Sequence, residues 1–375
     1  MLARFYKILK PILFLFNPEL AHAIALMIFK VKQKLFFRYK ISEKYNILQQ
    51  KIWNTVIKNP FLMAAGFDKT AEMFLELNRF GFSVVELGTV TPKAQKGNDK
   101  PRVWRFIKEK SIVNRMGFNN PGIEKCLENI FNLLRKNDKA RFAISIGKQK
   151  ETEPQEAYKD YEIQIKQIEK HKDIRKQCVY IALNISSPNT PGLRHLQQKK
   201  YIVKIIKKCK ENTSIPILVK FAPDFENIKD FKKSVNYAVK AGCDGIIVTN
   251  TTSNLSKYSF IPQKIIIKGG GLSGEPMKEL SEKYLTAARE AAGEKITIIS
   301  SGGVMSPLDI WKRLLLGASL VQIYTGFIYE GPQLLKNANA LLQQKLKEYN
   351  IKSLVELKKY REKIFLSEKK QGVFK

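Results

Sequence analysis

The sequence predicts an α/β fold, a (β/α)8 TIM barrel with a small N-terminal helical extension, on three observations. Eight short apolar runs recur from residue 61 onward, amphipathic helical stretches separate most of them, and the runs end in polar or glycine-rich clusters. Continuous apolar strands alternating with helices imply a parallel sheet covered on both faces, and eight such units suggest a closed barrel. The 375 residues accommodate one barrel of about 250 residues plus a modest appendage.

The division falls near residue 50, giving a helical segment over 1–50 and a barrel over 51–375. Leu2–Phe16 and Leu20–Phe37 read as two helices parted by Asn17-Pro18-Glu19. In the second, Leu20, Ile24, Met27, Ile28 and Val31 follow helical spacing, with Lys30, Lys32 and Lys34 toward its end. Such a stripe fits two outcomes, a helical pair packed on the domain body or a helix lying in a membrane interface. Neither PILFLF nor AIALMIF approaches the ~20 apolar residues that span a bilayer. No small-residue cleavage site directly follows the N-terminal apolar run.

The barrel runs begin at Phe61 (FLMAAG), Val84 (VVELGTV), Ala143 (AISIG), Val179 (VYIALNIS), Ile217 (ILVKFAP), Gly245 (GIIVTNT), Ile296 (ITIISSGG) and Leu320 (LVQIYTG). Helical patterns occupy Thr70–Phe80, Tyr201–Glu211, Asp230–Ala241, Leu280–Ala292 and Pro307–Leu316. Val103–Asn120 alternates enough for a small β excursion above the barrel mouth, before a helix around Ile123–Lys136.

The net charge of +32 brings nucleic acid and anionic membrane surfaces into consideration. The lysines are spread along the chain without a long basic block, as general lysine overuse also produces. Cys126, Cys178, Cys209 and Cys243 lie far apart, which argues against a zinc site or a disulfide framework and fits a reducing compartment. His22, His171 and His195 show no metal-ligand spacing, so no metal is expected.

In a barrel of this kind the site lies at the C-terminal ends of the strands. Those ends carry Lys69, Thr89, Asn184, Ser187, Asn189, Lys220, Thr249, Asn250 and Thr251, and Asn114-Arg115-Met116-Gly117-Phe118 adds another amide. No carboxylate pair or Ser-His-Asp set appears, so glycosidase and triad-hydrolase chemistry fit poorly. Lysines, amides and hydroxyls suit a planar, anionic ligand and an electron-rich cofactor. Ser300-Ser301-Gly302-Gly303 and Tyr324-Thr325-Gly326 end the last two runs, where barrels commonly bind a phosphate; tight turns alone would also use these glycines.

Six ordered motifs carry a family resemblance. Ala65-Gly66-Phe67-Asp68-Lys69, Asn114 to Phe118, Asn184 to Arg194, Val248 to Thr252, Gly270 to Gly274 and Gly317 to Tyr324 resemble class 2, quinone-reducing dihydroorotate dehydrogenases. The similarity runs from about Pro18 to Pro332. It implies FMN as cofactor, dihydroorotate and a membrane quinone as partners, and a place in de novo pyrimidine synthesis. By resemblance, Ser187 is the base that takes a proton from C5 of dihydroorotate; class 1 relatives carry cysteine there. An unassisted serine is a feeble base, so its proton must pass on through a hydroxyl or water relay in a dry pocket.

The resemblance further assigns Asn114, Asn184, Asn189 and Asn250 to the pyrimidine amides and carboxylate. Arg115, Met116, Gly117, Phe118 and Thr251 accompany them in substrate binding. Lys69 lies between substrate and flavin and Lys220 beside the flavin. Ala65, Gly66, Thr89, Asn184 and Thr249 are further flavin contacts, with Gly274, Gly303, Tyr324 and Thr325 at its phosphate end. The chain departs from the family at Ser145 and Gln149, where asparagine is usual, which puts the flavin contact of Ser145 in doubt.

The resemblance turns the N-terminal helices into a hydrophobic quinone mouth, with His22, Arg102 and Tyr324 along the quinone path. It implies peripheral attachment to the cytoplasmic face of the bacterial inner membrane, or to the mitochondrial inner membrane in a eukaryote. Nucleic acid is not expected as a partner. Two other readings compete. Another family of FMN barrels, the tRNA-dihydrouridine synthases, would suit the positive charge, but it carries a catalytic cysteine after Asn-x-Gly that Asn184 to Asn189 lacks. A non-catalytic membrane-surface or nucleic-acid-binding protein would leave the strand-end amides unexplained.

Overall fold

The computed structural model describes residues 2–35, 47–136 and 139–374. Eight parallel strands close on themselves: Phe61–Met63 (β1), Val84–Val90 (β2), Phe142–Ile146 (β3), Cys178–Asn184 (β4), Ile217–Phe221 (β5), Gly245–Val248 (β6), Thr297–Ser301 (β7) and Leu320–Ile323 (β8). All eight expected runs supply these strands. β8 returns to β1 through Val321 opposite Phe61 and Ile323 opposite Met63, which completes the closure. Leu62, Val84, Ala143, Tyr180, Ala182, Leu218, Ile247, Ile299 and Leu320 pack together inside the ring. Strand residues with the opposite side-chain direction pack under the helices, so both faces are apolar and the runs read as continuous.

The hairpin Gln50–Ile52 with Thr55–Ile57 covers the N-terminal end of the barrel, its Ile52 and Ile57 joining the interior cluster. The expected β excursion is present as Val103–Phe106 paired with Ser111–Asn114. A third strand, Gly271–Gly274, completes this sheet from far along the chain. That pairing is antiparallel and non-local, so the alternation within Val103–Asn120 did not reveal it.

Helix bounds moved where side chains bond the main chain. Phe74–Phe80 starts later than the expected Thr70, because the Asp68 carboxylate accepts the N–H groups of Glu72 and Met73 at 2.9 and 2.8 Å and holds them in a turn. Pro18–Leu35 starts two residues earlier than expected: proline is preformed for a first helical turn, and Asn17 Oδ1 accepts the Glu19 N–H at 2.9 Å. Its expected last residues, Phe36 and Phe37, lie outside the described residues.

Leu2–Leu15 docks on the segment after β8, where the Tyr6 hydroxyl donates to the Ile328 carbonyl at 2.5 Å and Lys10 to the Tyr329 carbonyl at 3.0 Å. Arg105 donates to the Phe14 and Phe16 carbonyls and lies 4.1 Å from the Phe14 ring, closing that helix's C-terminal end. Both helices thus rest on the barrel yet leave Ile8, Ile12, Leu15, Leu20, Met27, Ile28 and Val31 exposed, with Leu15 86% accessible. No helix among the described residues is long and apolar enough to cross a membrane.

Candidate active site

One cavity of about 310 Å³ opens at the C-terminal end of the barrel. Most of the expected residues reach its wall: Ala65, Gly66, Lys69, Thr89, Asn114, Met116, Gly117, Phe118, Asn184, Ser187, Asn189, Lys220, Thr249, Asn250, Thr251, Gly274, Gly303, Tyr324 and Thr325. His22 and apolar residues of the two N-terminal helices, including Leu13, Phe14, Ala25 and Phe29, line the same cavity.

The four asparagines form two hydrogen-bonded pairs, Asn189 with Asn114 and Asn250 with Asn184. Asn189 Nδ2 donates to the main-chain and side-chain oxygens of Asn114, both at 3.2 Å. Asn250 Nδ2 donates to Asn184 Oδ1 at 3.3 Å and to Ser186 Oγ at 3.0 Å, and Asn184 Nδ2 donates to Thr89 Oγ1 at 2.7 Å. These bonds orient each amide and leave lone pairs and N–H groups that match a ring edge of alternating C=O and N–H. Ser187 lies in the loop after β4, largely buried, where its hydroxyl accepts the Asn189 N–H at 3.3 Å. No histidine or carboxylate is bonded to it among the described residues, so any proton it takes must leave by another hydroxyl or a water.

The two lysines have different surroundings. Lys220 donates to Glu86 Oε1 at 3.4 Å and Gln322 Oε1 at 3.3 Å inside the barrel. Glu86 also accepts from the Tyr180 hydroxyl at 2.8 Å and from Gln322 Nε2 at 2.5 Å. The counter-charge that a buried ammonium requires is therefore already in the protein. The sequence reading missed Glu86, Gln322 and Tyr180. The available signal was one polar residue in each of three apolar runs, VVELGTV, ILVKF and LVQI. Lys69, by contrast, forms no ion pair among the described residues and donates to the Gly66 carbonyl at 2.7 Å. Burial lowers its ammonium to about 8, with Glu19 pulling the other way. Tyr324 reaches the same carbonyl at 3.4 Å, and burial raises its phenol to about 12, so it stays neutral.

Three expected residues fall off the wall. Ser145 is too short to reach it; its hydroxyl lies behind Thr89, 2.9 Å from Thr89 Oγ1. Arg115 follows Asn114 along an extended segment, so its side chain points away from the cavity that Asn114 and Met116 face. Arg102 turns to Glu19 of the second helix at 2.6 Å and to the carbonyls of Lys96 and Asn98 at 2.8 and 2.9 Å. The arginine on the wall is Arg105, which the sequence reading did not single out.

The far end of the cavity is bare main chain. At Gly274, with φ +105°, an added Cβ would lie 2.3 Å from the Lys110 carbonyl oxygen, and at Gly303, with φ +67°, 2.4 Å from Lys278 Cα. Neither position tolerates a side chain. Close packing of the protein's own main chain therefore requires both glycines, while the Ser273 and Thr325 hydroxyls, 2.9 Å apart, line this end of the cavity and offer donors to an anionic group. Paired amides beside two lysines, with hydroxyls at one end, fit a flat heteroaromatic cofactor with a phosphate tail.

His22 packs edge-on against Phe67, ring centroids 5.5 Å apart. Burial, helped by Lys69, lowers its imidazole to about 3. The unfolded chain binds a proton near pH 6.5 that the folded protein refuses until about 3, so His22 removes stability as pH falls through that window. Asp68, raised by burial to about 6, acts in the opposite sense between 3.8 and about 6. A difference between wild type and His22→Leu cancels the Asp68 contribution. Thermal melts from pH 7.5 to 4 are expected to show His22→Leu gaining stability relative to wild type as the solution is acidified. A pH-independent difference would overturn this reading.

Residues 47–346 match the family model described as Dihydroorotate dehydrogenase. The chain is similar to the dihydroorotate dehydrogenase (quinone) of Sulfurimonas denitrificans, 42% identical over 91% of this chain and 95% of that protein. It is also similar to that of Nautilia profundicola, 39% identical over 92% of this chain and 93% of that one. A solved DHODH from Eimeria tenella in complex with ferulenol superposes with a TM-score of 0.78 at 31% identity, over 90% of this chain and 94% of that one. With the barrel, the paired asparagines and this likeness over nearly the whole length, the chain belongs to the dihydroorotate dehydrogenase family.

Proposed function

We propose that this protein oxidises dihydroorotate to orotate in pyrimidine synthesis, with FMN as its flavin and a membrane quinone as electron acceptor. One observation carries the reading: the asparagine pairs with Ser187 and the apolar mouth of the N-terminal helices belong to a single cavity. Relatives named dihydroorotate dehydrogenase (quinone) support the acceptor.

A flavin held in this cavity would supply the acceptor for the hydride equivalent from C6 of dihydroorotate and the donor of electrons to quinone. The protein's own residues do the rest. Asn114, Asn184, Asn189 and Asn250 hold the pyrimidine by its amide edges and carboxylate, with Met116, Gly117, Phe118 and Thr251 closing around it. Ser187 receives the C5 proton and hands it on through water or a neighbouring hydroxyl. The Lys69 ammonium, with no ion-pair partner among the described residues, offers its charge to substrate and flavin. Lys220, Thr89, Thr249, Ala65 and Gly66 hold the flavin ring, and Gly274, Gly303, Tyr324 and Thr325 its phosphate end. Ser145 acts through Thr89 rather than by contact.

Residues 1–50 form the quinone-access segment of a 51–375 catalytic barrel. The exposed Ile8, Ile12, Leu15, Met27, Ile28 and Val31, together with the basic surface, suit peripheral attachment to an anionic membrane. The two sequence relatives named above come from bacteria, which favours the cytoplasmic face of an inner membrane. No role for nucleic acid or a metal enters this reading. The test is an acceptor panel. The yellow protein is expected to oxidise dihydroorotate with ubiquinone and not with fumarate or NAD. Bound flavin without oxidation by any acceptor would overturn the substrate assignment.

A further inference from the structure

Three loops meet outside the ends of β4, β5 and β6, and one ion pair ties them. Arg194 sits in the short 3-10 helix Leu193–Gln197 that follows the Ser187 loop. Its Nε donates to the Ser186 carbonyl at 3.2 Å, the peptide immediately before Ser187. One terminal nitrogen donates to Asp224 at 2.6 Å and to Ser253 Oγ at 2.7 Å, and the other to the Thr251 carbonyl at 3.2 Å. Asp224, from the loop after β5, gathers the third loop. It accepts from the Thr252 hydroxyl, from the Ser253 N–H at 2.7 Å and hydroxyl at 3.1 Å, and from Asn254 Nδ2 at 3.3 Å.

We propose that Arg194 and Asp224 form a positioning latch that sets Ser187 against Asn250 and Thr251, and so against C5 of the substrate. The proposal rests on the dihydroorotate reading for its substrate but on geometry alone for the latch. Neither residue lines the cavity, so both act through others. The planar guanidinium suits this task because its fixed fork holds acceptors on two loops and a carboxylate on a third at once. A base must lie within about 3 Å of the proton it takes, and the segment carrying Ser187 is a loop held between two strand ends. The Asn250–Ser186 side-chain bond at 3.0 Å crosses the same junction and would not alone fix its register.

The experiment compares Arg194→Ala, Arg194→Lys and wild type as full-length holoproteins. In Arg194→Ala, flavin stoichiometry is expected to stay at the wild-type level. Its kcat for dihydroorotate is expected to fall about tenfold to a hundredfold, as an ångström-scale misplacement does. KM for quinone should be unchanged, and Arg194→Lys should recover part of the rate. Hydrogen exchange supplies a readout free of substrate: amides of 185–193 and 250–254 should exchange faster together in Arg194→Ala. Unchanged exchange in both segments, or wild-type kcat, would overturn the latch. Loss of flavin in parallel with rate would also overturn it, by making Arg194 merely structural. Wild-type protein that fails to oxidise dihydroorotate while the two segments still loosen together in Arg194→Ala would instead refute the substrate reading.

Discussion

Ser187→Ala is expected to lower the rate of dihydroorotate oxidation by about 10²–10⁴-fold, the usual worth of a positioned proton acceptor, while leaving bound flavin and the melting temperature unchanged. Ser187 is largely buried, its hydroxyl accepts only the Asn189 N–H among the described bonds, and neighbouring amides already satisfy one another. Removing the hydroxyl therefore opens little space and breaks one bond of 3.3 Å. The loss should appear in kcat more than in KM, because the four asparagines that bind the pyrimidine remain. Stopped-flow reduction of the flavin by dihydroorotate isolates the step. An alanine variant that reduces its flavin at the wild-type rate would remove Ser187 from proton transfer.

Glu86→Ala is expected to have the largest effect on stability. Glu86 is fully buried and receives bonds from Lys220, Tyr180 and Gln322. Its loss leaves the Lys220 ammonium without a counter-charge inside the barrel and strands two donors, which costs about 3–5 kcal/mol. The double variant Glu86→Met with Lys220→Met removes both charges together. It should lose much less stability than the two single losses summed, because the penalty comes from the unpaired charge. It should nonetheless bind flavin poorly, since Lys220 lines the cavity. Urea unfolding of wild type, Glu86→Met, Lys220→Met and the double variant gives the coupling, and flavin content gives the binding. Strict additivity would mean that Glu86 and Lys220 do not act as a buried pair.

The barrel was legible because its signal is local. Each of the eight strands is buried on both faces and so reads as an unbroken apolar run. Amides, hydroxyls and glycines also cluster at the C-terminal ends of these runs, where a barrel places its site. Ser187, Asn189 and Asn250 could be singled out on those grounds, and the ordered motifs then carried the family. Lys220 also stood out as a cation in an apolar run, yet its partner did not. Glu86 lies 134 residues earlier, on a strand that meets Lys220 only across the barrel interior.

The amino-acid order alone therefore settled the number of strands, their alternation with helices and the kinds of side chain at their ends, because periodicity and turn chemistry act over a few residues. Closure of the ring decided the rest. It put Glu86 against Lys220, drew Arg194 and Asp224 together from different loops, and buried Ser145 behind Thr89. It also left Arg105 rather than Arg102 on the cavity wall and joined Gly271–Gly274 to Ser111–Asn114. Such pairings depend on which side chains converge when distant segments pack, and no local pattern in the chain encodes that distance.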